Sequence, residues 1–191
     1  MTALSAAQPT LIGRLWPQTA GNSMARAAAL ILIGSALMAI AAHIQVPFWP
    51  VKLSMQSFVA IVIGMAYGAR LGGATILAYI VEGALGLPVF QSGAGIAYMA
   101  GPTGGYLLGF FLAAVVAGYF AERGALNRLP TALGAILLAT VAVYVPGIAW
   151  LAVLFGAEKS IAFGLTPFIL GDILKIVLAL VLVPAIRRVM R

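Results

Sequence analysis

Apolar residues fall into six runs along the chain, separated by glycine, proline or charged groups. They cover Ala27 to Ala42, Ser54 to Tyr67, Leu71 to Leu85, Tyr106 to Ala121, Thr131 to Leu154, and a last run that opens at Thr166-Pro167 and continues to Ile186. Runs of this length and polarity predict membrane helices. The second and third are shorter than the usual ~17–25 residues and are divided by Gly68-Ala69-Arg70, so they predict one broken helix or two thin spans. Pro146 and Gly147 are expected to kink the fifth run or end it early. Thr166 before Pro167 has the form of an N-cap followed by proline at the first helical position. In the first run, Ala25, Ala29, Gly34, Ser35 and Ala39 supply small side chains for close helix approach, and Ala25, Ala29 and Ala39 are expected to meet a partner subunit.

The connections are as informative as the runs. His43 to Leu53, HIQVPFWPVKL, is broken by Pro47 and Pro50 and carries Phe48 and Trp49, which predicts a re-entrant or capping loop at the membrane interface. Gly86 to Gly104 holds no charged residue and has four glycines before Gly104. Backbone so permissive must be buried in protein or line a cavity, because lipid offers its N–H and C=O groups no partner. Gly156 to Leu165 reads as a short loop carrying Glu158 and Lys159. Residues 1–23 show no sustained apolar period and are expected to form a mobile cytoplasmic tail ahead of a membrane domain, 24–191.

Composition turns this pattern into a class. Of 191 residues, 63% are hydrophobic and 8% charged, against about 45–50% and 25% in soluble domains. The fold class is therefore an all-α integral membrane protein with six transmembrane helices. Without cysteine, and with His43 as its one histidine, the chain has no Ser-His, Cys-His or multi-histidine arrangement, so it does not read as an enzyme, and no metal or cofactor is expected. No Gly-x-x-x-x-Gly-Lys-Ser/Thr segment occurs, so ATP-driven work would need a partner.

The net charge of +7 reads as helix-end arginines beside membrane lipid rather than as a nucleic-acid footprint. Six spans place Arg14, Arg26, Arg70, Arg123, Arg128, Arg187, Arg188 and Arg191 on one side, with Lys52 and Lys159 on the other. Basic residues mark the cytoplasmic face, so both termini are expected inside and loops 43–53, 86–104 and 155–166 outside.

Within the last run, Asp172 and Lys175 stand three residues apart and so share one helix face. A charge at the centre of a membrane helix costs about 2.5–3.5 kcal/mol, so the pair must face the protein interior. Both lie in the outer half of the membrane. Carboxylate accepts and ammonium donates, which suits a neutral ring bearing N–H and C=O groups, with a structural ion pair as the competing reading. Glu82, Gln56 and Gln91 are further polar candidates near the same level, and Trp49 and Tyr98 are candidates for stacking on a ligand. These residues alone point to a six-helix importer or receptor for a small polar solute.

Four blocks go further: Val46-Pro47 through Gln56, Gly83-Ala84-Leu85-Gly86-Leu87-Pro88-Val89-Phe90, Gly101-Pro102-Thr103-Gly104-Gly105-Tyr106-Leu107, and Gly171-Asp172 with Lys175. In this order they resemble the BioY family, the biotin-specific substrate-binding (S) components of energy-coupling factor transporters, with departures at Lys52 and Gln91. The resemblance implies a six-helix protein in the cell membrane that captures biotin from outside. It also implies work with a transmembrane coupling protein and two cytoplasmic ATPases, and a ureido ring held near Asp172 and Lys175. An S component for another vitamin, or a small self-sufficient transporter, is the alternative; whether the chain forms a homo-oligomer stays open.

Overall fold

The computed structural model describes residues 10–17, 23–46 and 53–190. A short helix, α1 (Leu11–Leu15), precedes α2 (Ser23–His43), and two-residue strands β1 (Gln45–Val46) and β2 (Leu53–Ser54) lead into α3 (Gln56–Tyr67) and α4 (Ala69–Ala84). There follow α5 (Gly95–Met99), α6 (Gly104–Glu122), a 3-10 turn (Ala125–Asn127), α7 (Leu129–Phe155), α8 (Ala157–Gly164) and α9 (Phe168–Met190). Among the described residues, four helices are long and apolar enough to cross a membrane: α2, α6, α7 and the Phe168–Arg188 part of α9. With 12 and 16 residues, α3 and α4 rise only about 18 and 24 Å, short of a hydrocarbon core of about 30 Å.

The break between α3 and α4 is built by Gly68, whose φ of +86° lies where a side chain would be strained. That residue closes α3 through its N–H to the Gly64 carbonyl, and Glu122 then accepts the Ala69 N–H at 2.9 Å, occupying a donor that the start of α4 would otherwise leave orphaned. The centre of the bundle is α6, more than half buried (56%) while α2, α7 and α9 are each a third buried or less. Its small residues Ala113, Ala114, Ala117 and Gly118 let α3, α4 and α7 approach closely.

Several local expectations change. Pro146 sits inside α7 without ending it, and the helix runs on to Phe155; α6 packs closely on α7 here, with Gly105 against the Pro146 carbonyl. The expected loop at 156–165 is mostly the helix α8. Thr166 does not cap α9: its hydroxyl turns back to donate to the Ile161 carbonyl of α8 at 3.2 Å. Within the stretch expected as a tail, Thr10 caps α1, accepting the Gly13 N–H at 3.2 Å.

Candidate functional site

The β1–β2 ladder, pairing Gln45 with Ser54 and Val46 with Leu53, pins both ends of the loop expected over 43–53; residues 47–52, with Trp49 and Lys52, lie outside the described residues. Ser54, just before α3, starts a chain of hydrogen bonds. Its hydroxyl donates to Gln56 Oε1 at 3.1 Å, Gln56 Nε2 donates to the Tyr79 hydroxyl at 2.7 Å, and Tyr79 donates to the Val89 carbonyl at 3.1 Å. The start of α3, the C-terminal half of α4 and the connection after α4 are thereby fixed to one another.

That connection is anchored by Phe90, 1% exposed. Its ring meets Tyr79 edge-on at 5.5 Å and stacks on Tyr98 at 4.9 Å between centroids. Gly83 is required beneath it, because a Cβ there would overlap the ring. The Trp150 indole N–H of α7 donates to the Gly101 carbonyl at 2.9 Å, and Tyr106 donates to the Gly164 carbonyl at 2.7 Å. The glycine-rich 86–104 segment is thus packed against protein, as its composition requires.

Beneath it lies a cavity of about 530 Å³ including its open mouth. Gln91 and Tyr98 line it from the loop, with Gln56 and Ser57 from α3, Thr140 and Tyr144 from α7, and Asp172 and Lys175 from α9. Tyr106, Phe110 and Phe168 add aromatic wall. Burial raises the Tyr98 phenol above its ordinary pKa, partly offset by hydrogen bonds with Thr103, Ser92 and the Gln91 main chain, so it remains a neutral donor.

The polar centre is compact. Asp172 is 8% exposed, and its Oδ1 accepts from Lys175 Nζ at 3.1 Å, in the one ion pair among the described residues. Oδ2 accepts from the Tyr144 hydroxyl, and Lys175 also donates to Ser57 Oγ at 3.1 Å. The carboxylate has acceptor sites beyond these two bonds and the ammonium has a third proton, so both retain capacity for a ligand at the cavity wall. Such a site can hold a neutral group that offers N–H to the acid and C=O to the lysine.

Of the residues singled out in the sequence, Asp172, Lys175, Gln91, Gln56 and Tyr98 come together here. Glu82 does not. It accepts from Ser35 between α4 and α2, away from the cavity, because its position on α4 turns it toward the neighbouring helix. Tyr144, Ser57 and Thr140 were not anticipated; a phenol two residues before Pro146, in an otherwise apolar run, was the available signal, since buried tyrosine hydroxyls seek partners.

Comparison with known proteins gives a consistent result. The family model described as the BioY family matches residues 14–191. A probable biotin transporter BioY of Pyrococcus horikoshii is 37% identical, over 83% of this chain and 94% of its own. The biotin transporter BioY of Thermotoga maritima is 35% identical, over 77% and 87%, and that of Rhizobium etli 36%, over 73% and 79%. A crystal structure of the S-component for biotin from an ECF-type ABC transporter superposes with a TM-score of 0.73, at 23% identity, over 90% of this chain and 95% of that one. At that identity the superposition speaks for the fold.

Proposed function

The chain belongs to the BioY family, and from that premise we propose that it is the biotin-binding, substrate-capture subunit of a vitamin uptake transporter. Membership makes it a multi-pass membrane transport protein rather than an enzyme. The observation that carries the ligand reading is the buried Asp172–Lys175–Tyr144 cluster on the wall of a cavity lined by further polar and aromatic side chains. Asp172 accepts a ring N–H of the ureido group and Lys175 donates to its carbonyl; Tyr144 and Ser57 hold the two charged heads in position. Gln91 and Tyr98 close the cavity from the 86–104 loop.

Six spans complete the reading, with α3 and α4 crossing as a thin pair and the 86–104 connection covering the cavity. Both termini are then cytoplasmic, in keeping with the basic residues at that end. Having no P-loop of its own, the chain relies on a coupling membrane protein and a pair of ATPases. For that partner, Ala25 is exposed and Ala29 half-buried, whereas Ala39 packs against the chain's own core, so the docking face is narrowed to Ala25 and Ala29. Mass spectrometry of small molecules that co-purify with the detergent-solubilised protein, followed by calorimetry with biotin, tests the function. Recovery of a different vitamin, with no heat of binding for biotin, would overturn it.

A further inference from the structure

We propose that a cleft at the opposite end of the bundle binds the phosphate of an anionic phospholipid headgroup between Arg26 and Arg70. The cleft encloses about 840 Å³ including its mouth. It forms where α1 meets the first turns of α2 and α4 and the last turns of α3 and α6, with Ile12, Tyr67 and Leu71 giving it apolar walls.

Arg26 is the anomaly that points to a ligand. Its side chain lines the cleft in a residue only 2% exposed, and its partners are two neutral carbonyls: Nε donates to Trp16 O, and Nη2 to Ile12 O at 3.0 Å. A guanidinium carries five N–H donors, so three remain without a partner among the described residues. No carboxylate is within ion-pair distance of it there, since the one such pair is Lys175–Asp172. Buried charges are normally paired, because leaving one uncompensated is costly. Arg70, in the first turn of α4, is exposed on the same cleft and makes no hydrogen bond or ion pair among the described residues. Glu122 also lines the cleft, but its Oε1 is engaged by the Ala69 N–H, and two guanidiniums against one carboxylate leave the cleft cationic. Paired guanidiniums suit phosphate oxygens, which each can contact in a bidentate way.

Two observations favour a lipid over a soluble phosphate. Glu122 is the one acidic residue at this end of the chain, whereas seven arginines from Arg14 to Arg188 lie there, which is the charge balance of a surface facing anionic headgroups. In addition, Leu15, Trp16 and Met24 stand exposed beside the cleft, at 61%, 40% and 83%, the kind of side chains that settle at the acyl–headgroup boundary.

The test uses the full chain in a neutral detergent. Short-chain phosphatidylglycerol, short-chain phosphatidylcholine and inorganic phosphate are added separately at matched concentrations, and thermal unfolding and biotin binding are read. Phosphatidylglycerol should raise Tm saturably while the other two leave it unchanged. Arg70→Gln should weaken that response by about tenfold or more in apparent affinity, the loss expected for a charge-assisted hydrogen bond, and keep parental biotin binding. Arg26→Gln should abolish the response if it folds; if it does not, Arg70→Gln alone carries the decision. An equal response to phosphatidylcholine, an equal response to inorganic phosphate, or an undiminished response in Arg70→Gln would each overturn the assignment.

Discussion

Replacing Asp172 by Asn, Lys175 by Met, and then both together, separates a ligand site from a structural clasp. The two side chains are about nine-tenths covered (11% and 12% exposed) and 3.1 Å apart, so solvent does little to screen either head. In Asp172→Asn the amide oxygen can still accept from Lys175 and the NH2 can turn to the Tyr144 hydroxyl, but the negative charge opposite the buried ammonium is gone. Stranding one member of a buried pair typically costs about 3–5 kcal/mol of stability, and Lys175→Met strands Asp172 in the same way. The double variant strands no charge, so it should recover most of that loss. Binding should behave differently. Each single variant removes a charged hydrogen bond worth about 1.5–3 kcal/mol, about ten- to a hundredfold in biotin affinity, and the double variant should bind no better than either. Thermal unfolding in detergent reports the first quantity and calorimetry with biotin the second. A double variant that regains stability and also binds biotin as tightly as the parent would show that the pair is a clasp and that the site lies elsewhere.

Four further outcomes are expected. Ser92→Cys and Lys159→Cys, both exposed, should react with a membrane-impermeant thiol reagent in intact cells, and reaction only after lysis would invert the topology; Ser160, 1% exposed, is a poor reporter. Gly83→Ala should lower stability by about 1–3 kcal/mol in thermal unfolding, because the added methyl displaces the Phe90 ring; an unchanged Tm would show that the loop repacks freely. Trp150→Phe removes the bond to Gly101, worth about 1 kcal/mol, and should speed biotin release several-fold in stopped-flow experiments; an unchanged rate would mean that this tether does not hold the loop closed. Ala29→Leu should weaken co-purification with the coupling subunit and leave biotin binding intact, and loss of both or of neither would count against that docking face.

The family was legible in the sequence because its signals are local. A run of apolar residues is a membrane helix wherever it packs, and lipid tolerates Asp172 and Lys175 only if they turn inward. The glycine-rich stretch before Gly104 likewise had to be covered by protein, and the structure covers it with Phe90, Tyr98 and Trp150. What sequence could not supply was the partner across space. Glu82 and Gln56 looked equivalent as polar groups near the outer helix ends, yet the packing of α4 sends one to Ser35 on α2 and the Tyr79 hydroxyl draws the other to the cavity wall. Tyr144, 28 residues before Asp172 in the chain, meets it only because α7 and α9 lie side by side. Thr166 had the residue type of a cap, but the preceding turn of α8 offered its hydroxyl a carbonyl first. Helix formation and burial follow from the energetics of each segment in lipid, which the residues themselves carry; which acceptor a buried donor finds depends on helix rotation and crossing, which only the packed bundle decides.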